Sequence, residues 1–209
     1  MTFLARARTL TAVKISVAAR NGAREFECGP GEKILHAGLR SGVELPYECS
    51  TGTCGTCKAR LVSGRAESAW PEAPGSKYFR SEADLLMCQC VAPEDCALEV
   101  GIALKEREAG VPSPRALAGV LQDFRRLTHD VVAFEVKLDA PFGFAAGQFV
   151  LLTVPGIAGA RAYSMVNFDV AAERLSFVVK KKPGGAVSEW LFANDVEGAR
   201  LGVFGPLGH

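Results

Sequence analysis

Four cysteines constrain this chain more than any other feature of its sequence. Cys49, Cys54, Cys57 and Cys88 follow the order Cys-x4-Cys-x2-Cys, with the fourth about thirty residues further on, and this is thiolate spacing for a 2Fe-2S cluster. The segment Pro46-Tyr47-Glu48-Cys49-Ser50-Thr51-Gly52-Thr53-Cys54-Gly55-Thr56-Cys57 is rich in small residues, which let a tight loop wrap sulfide and bring its N–H groups close to the cluster sulfurs. Those hydrogen bonds and solvent exposure set the reduction potential, about −400 mV for clusters of this spacing. The expectation is a low-potential one-electron carrier. Structural zinc also takes four cysteines, but through paired short spacings, of which this chain has one. Secreted disulfide frameworks require an export signal and go with a small core, and neither is visible. Cys28 and Cys96 lie in strand-like apolar settings and read as buried thiols filling core space. Met87-Cys88-Gln89-Cys90 offers two candidates for the fourth ligand, Cys88 and Cys90, and the spacing rule alone does not choose between them.

A length of 209 residues suits two small domains. The apolar share of 48% supports real cores, while a net charge of +1 gives no basic field for nucleic acid. Met1 to Leu10 lacks the apolar run and small-residue cleavage site of a secretory signal. No apolar stretch approaches the roughly eighteen to twenty residues that span a bilayer. A soluble cytoplasmic protein is expected, in a compartment that keeps thiols reduced, with no nucleic-acid or membrane partner.

Val13, Ile15 and Val17 alternate as a strand, and a turn at Asn21-Gly22 leads to a partner strand through Phe26. After Pro30-Gly31, a helix-like run puts Ile34, Leu35, Ala37 and Leu39 on one face and ends at Gly42. Leu61-Val62 and Ala97 to Ile102 read as further strands, with an irregular excursion from Ala66 to Arg80 between them. Hairpin, helix, loop and closing strands describe a β-grasp domain, placed at residues 1–104. The charged, proline-bearing stretch 105–114 reads as a linker. Residues 115–209 then show strands at Ala118 to Gln122, Val131 to Leu138, Gln148 to Val154, Arg161 to Val166, Leu175 to Lys180 and Arg200 to Phe204, with one helix from about Val187 to Ala193. That series predicts a small antiparallel β-barrel. The fold class is therefore α+β followed by β.

The second half carries Arg161-Ala162-Tyr163-Ser164 and, about twenty residues later, Gly184-Gly185-Ala186-Val187-Ser188 opening the helix. Strand alternation puts Arg161 and Tyr163 on one face and Ser164 at the next position. Glycines at a helix start let N–H groups approach a pyrophosphate, which the positive end of the helix dipole favours, and Arg161 can add a bidentate pair. Taken singly, each motif is more often an ordinary strand or turn. The run Lys180-Lys181-Lys182 reads first as a solvated strand end that can lend positive potential to a phosphate site. His36, on the predicted helix, and His129, in a turn, read as surface residues.

Together, the cysteine loop, Leu86-Met87-Cys88-Gln89-Cys90, Ala146-Gly147-Gln148-Phe149, Arg161-Ala162-Tyr163-Ser164, Lys182-Pro183-Gly184-Gly185 and Gly205-Pro206-Leu207-Gly208 resemble the reductase components of bacterial multicomponent oxygenases. These join a plant-type ferredoxin module to a flavin domain of the ferredoxin-NADP reductase family. The wording around Pro46-Tyr47-Glu48-Cys49, Ala69 to Gly75 and Gly159 to Ser164 looks most like reductases of toluene- and phenol-type diiron monooxygenases, with Rieske dioxygenase reductases next. The resemblance implies an N-terminal 2Fe-2S ferredoxin domain and a β-barrel FAD-binding domain. The apolar Leu85-Leu86-Met87 approach matches the family and favours Cys88 as the last ligand. FAD is implied as the flavin, with Arg161, Tyr163 and Ser164 at its phosphate and ring and Gly185, Ala186, Val187 and Ser188 at its pyrophosphate. NAD(P)H is the implied donor, and an oxygenase hydroxylase or a Rieske-type ferredoxin the acceptor. No side chain is assigned a catalytic role, since the cofactors carry the chemistry.

Such reductases continue past Gly-Pro-Leu-Gly into a doubly wound nicotinamide domain. These 209 residues contain neither Gly-x-Gly-x-x-Gly nor the strand-helix alternation that would hold a dinucleotide. The expectation is that the nicotinamide domain is missing and that this chain alone is deficient in NAD(P)H oxidation. An iron-sulfur flavoprotein that senses redox state is the alternative from another class, since fold never fixes function. A thiol redox protein using Cys54 and Cys57 would need a thioredoxin pattern, which is not visible.

Overall fold

A computed structural model describes residues 11–107, 110–193 and 195–208. Met1 to Leu10 lie outside the described residues. The chain forms two compact units, one of the residues up to Tyr47 and Gly52–Arg107, the other of Glu48–Thr51 and the residues after Arg107.

The first unit contains strands β1 (Val13–Ala19), β2 (Gly22–Cys28), β3 (Lys58–Ser63), β4 (Glu67–Ser68), β5 (Asp84–Leu86), β6 (Cys90–Val91) and β7 (Cys96–Glu99), with helix α1 (Ile34–Arg40) and a 3-10 turn at Pro74–Tyr78. Alternation in β1 buries Ile15 and Val17 and turns Lys14 out. β1 pairs antiparallel with β2 and parallel with β7, in the sheet order β2-β1-β7-β3-β5. β4 and β6 form a separate two-stranded ladder. The hairpin turn is Arg20-Asn21, because Gly22 already pairs with Ala19. The Asn21 side chain donates to Leu104 O at 2.8 Å and accepts from Leu104 N at 2.9 Å, tying the turn to the chain beyond β7.

α1 buries Ile34, Leu35, Ala37, Gly38 and Leu39 against the sheet, each large aliphatic group contributing about 1.5–3 kcal/mol. The helix comes so close that a Cβ at Gly38 would lie 3.2 Å from Phe26 Cζ of β2 and would clash with Leu45 on the segment after the helix. Lys105 bridges to Glu44, and Arg107 donates to Glu44 Oε1 at 2.6 Å and to Leu39 O at 3.1 Å. Residues 105–107, at the start of the expected linker, thus fasten to the first unit.

The second unit contains β8 (Arg115–Arg126), β9 (Val131–Phe142), β10 (Phe149–Thr153), β11 (Arg161–Ser164), β12 (Ala172–Lys180), α2 (Ala186–Ala193) and β13 (Arg200–Leu207). They make a curled, antiparallel half-barrel in the order β11-β10-β13-β8-β9-β12. Its edges are tied where Val166 N donates to Ser176 O at 2.9 Å and Asn167 exchanges hydrogen bonds with Arg174 O and Ser176 N. Phe134 and Phe177 stack at 5.3 Å inside it, among Leu121, Val136, Val150, Leu175 and Leu201. Val187, Leu191 and Phe192 of α2 join the same core, which fixes the start of α2 beside the end of β12.

No helix among the described residues is long and apolar enough to cross a membrane.

Candidate functional site

Antiparallel pairing of β3 with β5 decides which sulfurs meet. Lys58 pairs with Leu86, and Met87 N donates to Cys57 O at 3.1 Å, so Cys57 just before β3 comes level with Cys88 just after β5. Their Sγ atoms lie 3.2 Å apart and both residues are 2% exposed. The hydrogen bond to Cys88, with burial, holds the Cys57 thiol well above its ordinary range. Two buried sulfurs this close need a shared positive charge before both can ionise. Cys90 takes another course. It begins β6 opposite Ser68, lines a cavity with Trp70, Pro71 and Leu86, and burial pushes its thiol up to about 11. Cys28 and Cys96 are buried thiols of β2 and β7, each likewise pushed up to about 11 by burial.

Cys49 and Cys54 are partly exposed on the loop between α1 and β3. Thr51 N donates to Cys49 Sγ and Thr56 N to Cys54 Sγ, each at 3.4 Å, and Gln89 Nε2 donates to Cys88 Sγ at 3.4 Å. Gly55, at φ 79°, carries the loop past Tyr78, and a Cβ there would lie 2.4 Å from Tyr78 Cδ2. Ser50 is 3% exposed at φ 54°, and its Oγ has no hydrogen-bond partner. Among the described residues no three His, Cys, Asp or Glu side chains converge on one ion position. A 2Fe-2S cluster, which takes four thiolates, would suit the close Cys57–Cys88 pair, the two loop cysteines and the N–H donors aimed at sulfur.

In the second unit, β11 pairs with β10 through Tyr163–Val150 and Arg161–Leu152. Arg161, Tyr163, Lys180, Lys182 and Gly184 to Ser188 line one depression at the start of α2. Tyr163 meets Phe177 edge-on at 6.4 Å and 72°, which fixes the ring, and burial raises its phenol so that it stays protonated. Arg161 Nη1 donates to Ala160 O at 3.0 Å. The turn before α2 is closed by Gly185 N to Lys182 O at 2.8 Å and Gly184 N to Glu189 Oε1 at 2.8 Å. Ser188 Oγ accepts from Lys182 N at 3.0 Å and donates to Gly185 O at 2.9 Å. Its hydroxyl therefore shapes the turn, and Val187 sends its side chain into the core. What Ala186 to Ser188 offer the depression is backbone N–H at a helix start, the Gly185 N–H being already given to Lys182 O. Ser164 is exposed, at the next position along β11 from Tyr163, and is not among the residues lining the depression. A cationic, aromatic-walled depression with helix N–H groups suits an anionic flavin nucleotide.

Residues 18–93 match the 2Fe-2S iron-sulfur cluster binding domain family, and residues 118–209 match the oxidoreductase FAD-binding domain family. A ferredoxin–NAD(P)(+) reductase of Metapseudomonas resinovorans is 40% identical over 184 residues, 87% of this chain and 55% of the relative. The ferredoxin–NAD(+) reductase component of an alkene monooxygenase system from Xanthobacter autotrophicus is 38% identical over 192 residues, 90% of this chain and 57% of the relative. The chain thus joins a 2Fe-2S cluster binding domain to an oxidoreductase FAD-binding domain, in that order. A solved structure of the ferredoxin reductase in carbazole 1,9a-dioxygenase superposes with a TM-score of 0.81 at 34% identity, covering 95% of this chain and 59% of that one. The chain thus spans little more than half the length of the relatives it matches.

Three residues near the cysteines escape the sequence reading: Ser50, Gln89 and Lys33. Spacing rules find ligands, whereas these are defined by contacts across 56 residues or by a buried, unpaired oxygen. His36 also departs from expectation. Its Nε2 is shut from solvent, and burial pushes the imidazole down to about 4.

Proposed function

We propose that this chain is the flavin-to-cluster limb of an NAD(P)H-dependent oxidoreductase, an oxygenase reductase component. Electrons pass from NAD(P)H through FAD and a 2Fe-2S cluster to an oxygenase hydroxylase or its Rieske-type ferredoxin. The observation that carries the reading is the 3.2 Å approach of Cys57 and Cys88 in a chain that also holds the Arg161–Tyr163 depression. Cys49, Cys54, Cys57 and Cys88 are the ligands in this reading, two per iron. Arg161 and Lys182 hold the flavin phosphates, Tyr163 packs on the ring, Gly185 allows close approach to the pyrophosphate, and the N–H groups of Ala186 to Ser188 face it. Ser164 is kept as the ring-edge contact expected from the resemblance.

When bound, the flavin takes an electron pair and the cluster carries single electrons. The protein's own part is to place and insulate. Buried Cys57 and Cys88 and partly exposed Cys49 and Cys54 would hold the cluster. NAD(P)H oxidation is assigned to the further length that such reductases have. We retain the division into 1–104, 105–114 and 115–209, with the linker's first residues fastened at Glu44. A reducing cytoplasm suits seven cysteines of which none is in a disulfide.

Iron and sulfide analysis of serine variants tests the ligand set. Cys49→Ser, Cys54→Ser, Cys57→Ser and Cys88→Ser should lose the cluster, while Cys90→Ser, Cys28→Ser and Cys96→Ser keep about two irons per chain. Loss in the Cys90 variant with retention in the Cys88 variant reverses the assignment.

A further inference from the structure

We infer that Lys33 sets the cluster's reduction potential, holding the Gln89 carbonyl and placing a fixed positive charge beside Cys88. The inference rests on the reading of Cys88 as a ligand. Lys33 occupies the N-cap of α1 in extended conformation, where its side chain makes no capping bond. Instead Nζ reaches across the fold and donates to Gln89 O at 2.8 Å. The same carbonyl accepts from Ala69 N at 3.0 Å. Gln89 in turn donates through Nε2 to Cys88 Sγ at 3.4 Å, and its Cγ and Cδ lie 3.1 Å from the place a Cβ on Gly52 would take. One residue therefore touches both the last cysteine and the loop between Cys49 and Cys54, and Lys33 fastens it.

Lys33 is half-buried. Removing an ammonium from water is unfavourable, so a lysine whose only task was to stabilise a turn would more simply sit at the surface. A cation in a medium of low effective dielectric interacts strongly with nearby charge. The one-electron reduced cluster carries one more negative charge than the oxidised one, so Lys33 stabilises the reduced form and raises the potential. The amide donor on Cys88 Sγ acts in the same direction.

The test is a spectroelectrochemical titration of the full chain and of Lys33→Arg, Lys33→Met and Lys33→Gln, each first analysed for iron and sulfide. Lys33→Met should keep its cluster and become harder to reduce by about tenfold in the one-electron equilibrium, about 59 mV. Lys33→Arg should stay near wild type. Equal potentials in wild type and Lys33→Met, or an equal fall in Lys33→Arg and Lys33→Met, overturns the proposal, because a purely structural lysine would move occupancy and not potential. Should Lys33→Met lose its cluster, Lys33→Gln removes the same charge while still able to donate to Gln89, and a wild-type potential there also overturns it. A cluster that survives Cys88→Ser instead removes the underlying reading, and this inference with it.

Discussion

Replacing Gly55 by alanine isolates how tightly the cysteine loop is held. Two effects add at this position. The backbone is at φ 79°, which costs an L-residue about 1–2 kcal/mol. The new Cβ would also lie 2.4 Å from Tyr78 Cδ2 and 3.3 Å from Gly75 O, and such overpacking typically costs about 1–3 kcal/mol. Tyr78 is 49% exposed, so its ring can swing outward, losing its contact with Lys77 Nζ, which sits 5.0 Å from the ring centre. The backbone oxygen of Gly75 cannot swing. Gly31 provides the control, with φ 72° and nothing within 4 Å of an added Cβ. Gly31→Ala therefore carries the backbone cost alone. Urea unfolding followed by cluster absorbance should show Gly55→Ala destabilised by about 2–5 kcal/mol and Gly31→Ala by no more than about 1–2 kcal/mol. Adding Tyr78→Ala to Gly55→Ala should recover part of the difference. Equal midpoints for the two glycine variants would refute the reasoning, since Tyr78 would then not limit the loop.

Arg161→Ala should weaken FAD binding by about 1.5–3 kcal/mol, the worth of a charge-assisted contact, as read by flavin fluorescence on dilution; an unchanged dissociation constant would mean that the guanidinium does not reach the phosphates. His36 makes stability fall with acid. The folded imidazole is held down to about 4, chiefly by burial and further by Lys33, against an ordinary 6.5, so between these pH values the unfolded chain binds the extra proton. Stability present above pH 6.5 is lost as the pH falls towards 4, by about 3 kcal/mol in all. His36→Gln should flatten that slope in urea titrations across the window, and an identical slope would show that the imidazole is free to protonate in the fold.

Much of this architecture was legible because local patterns and tertiary demands agree. Val13, Ile15 and Val17 alternate because one face of β1 is core, and α1 shows its apolar face because that face packs on the sheet. The candidate ligands are nameable from spacing alone, because thiolate spacing is set by the cluster rather than by the fold. Which of Cys88 and Cys90 lies against Cys57 is less accessible, since the β3–β5 register brings Cys88 there while β6 carries Cys90 to Ser68. The parallel pairing of β1 with β7 joins segments some eighty residues apart and leaves no local trace. The resemblance places Ser188 at the pyrophosphate, and sequence alone does not tell that its hydroxyl closes the preceding turn, which leaves its N–H for that contact. The lysine run after β12 was ambiguous for a related reason: charge at a strand end looks solvated until α2 is seen packed beside it, with Lys180 and Lys182 on the shared depression.

The most direct test of the relay is photochemical reduction of the purified 209-residue chain loaded with FAD and its cluster, followed by optical and low-temperature EPR spectra. Light-driven reduction of the flavin should be followed by bleaching of the cluster and the appearance of a reduced 2Fe-2S signal. NADH added in the dark should reduce the flavin only slowly, because positioning of the donor can supply about 7–11 kcal/mol of such a barrier and is assigned to the further length of these reductases. A reduced flavin with a cluster that stays oxidised, although chemical reductant can reduce it, would contradict the account.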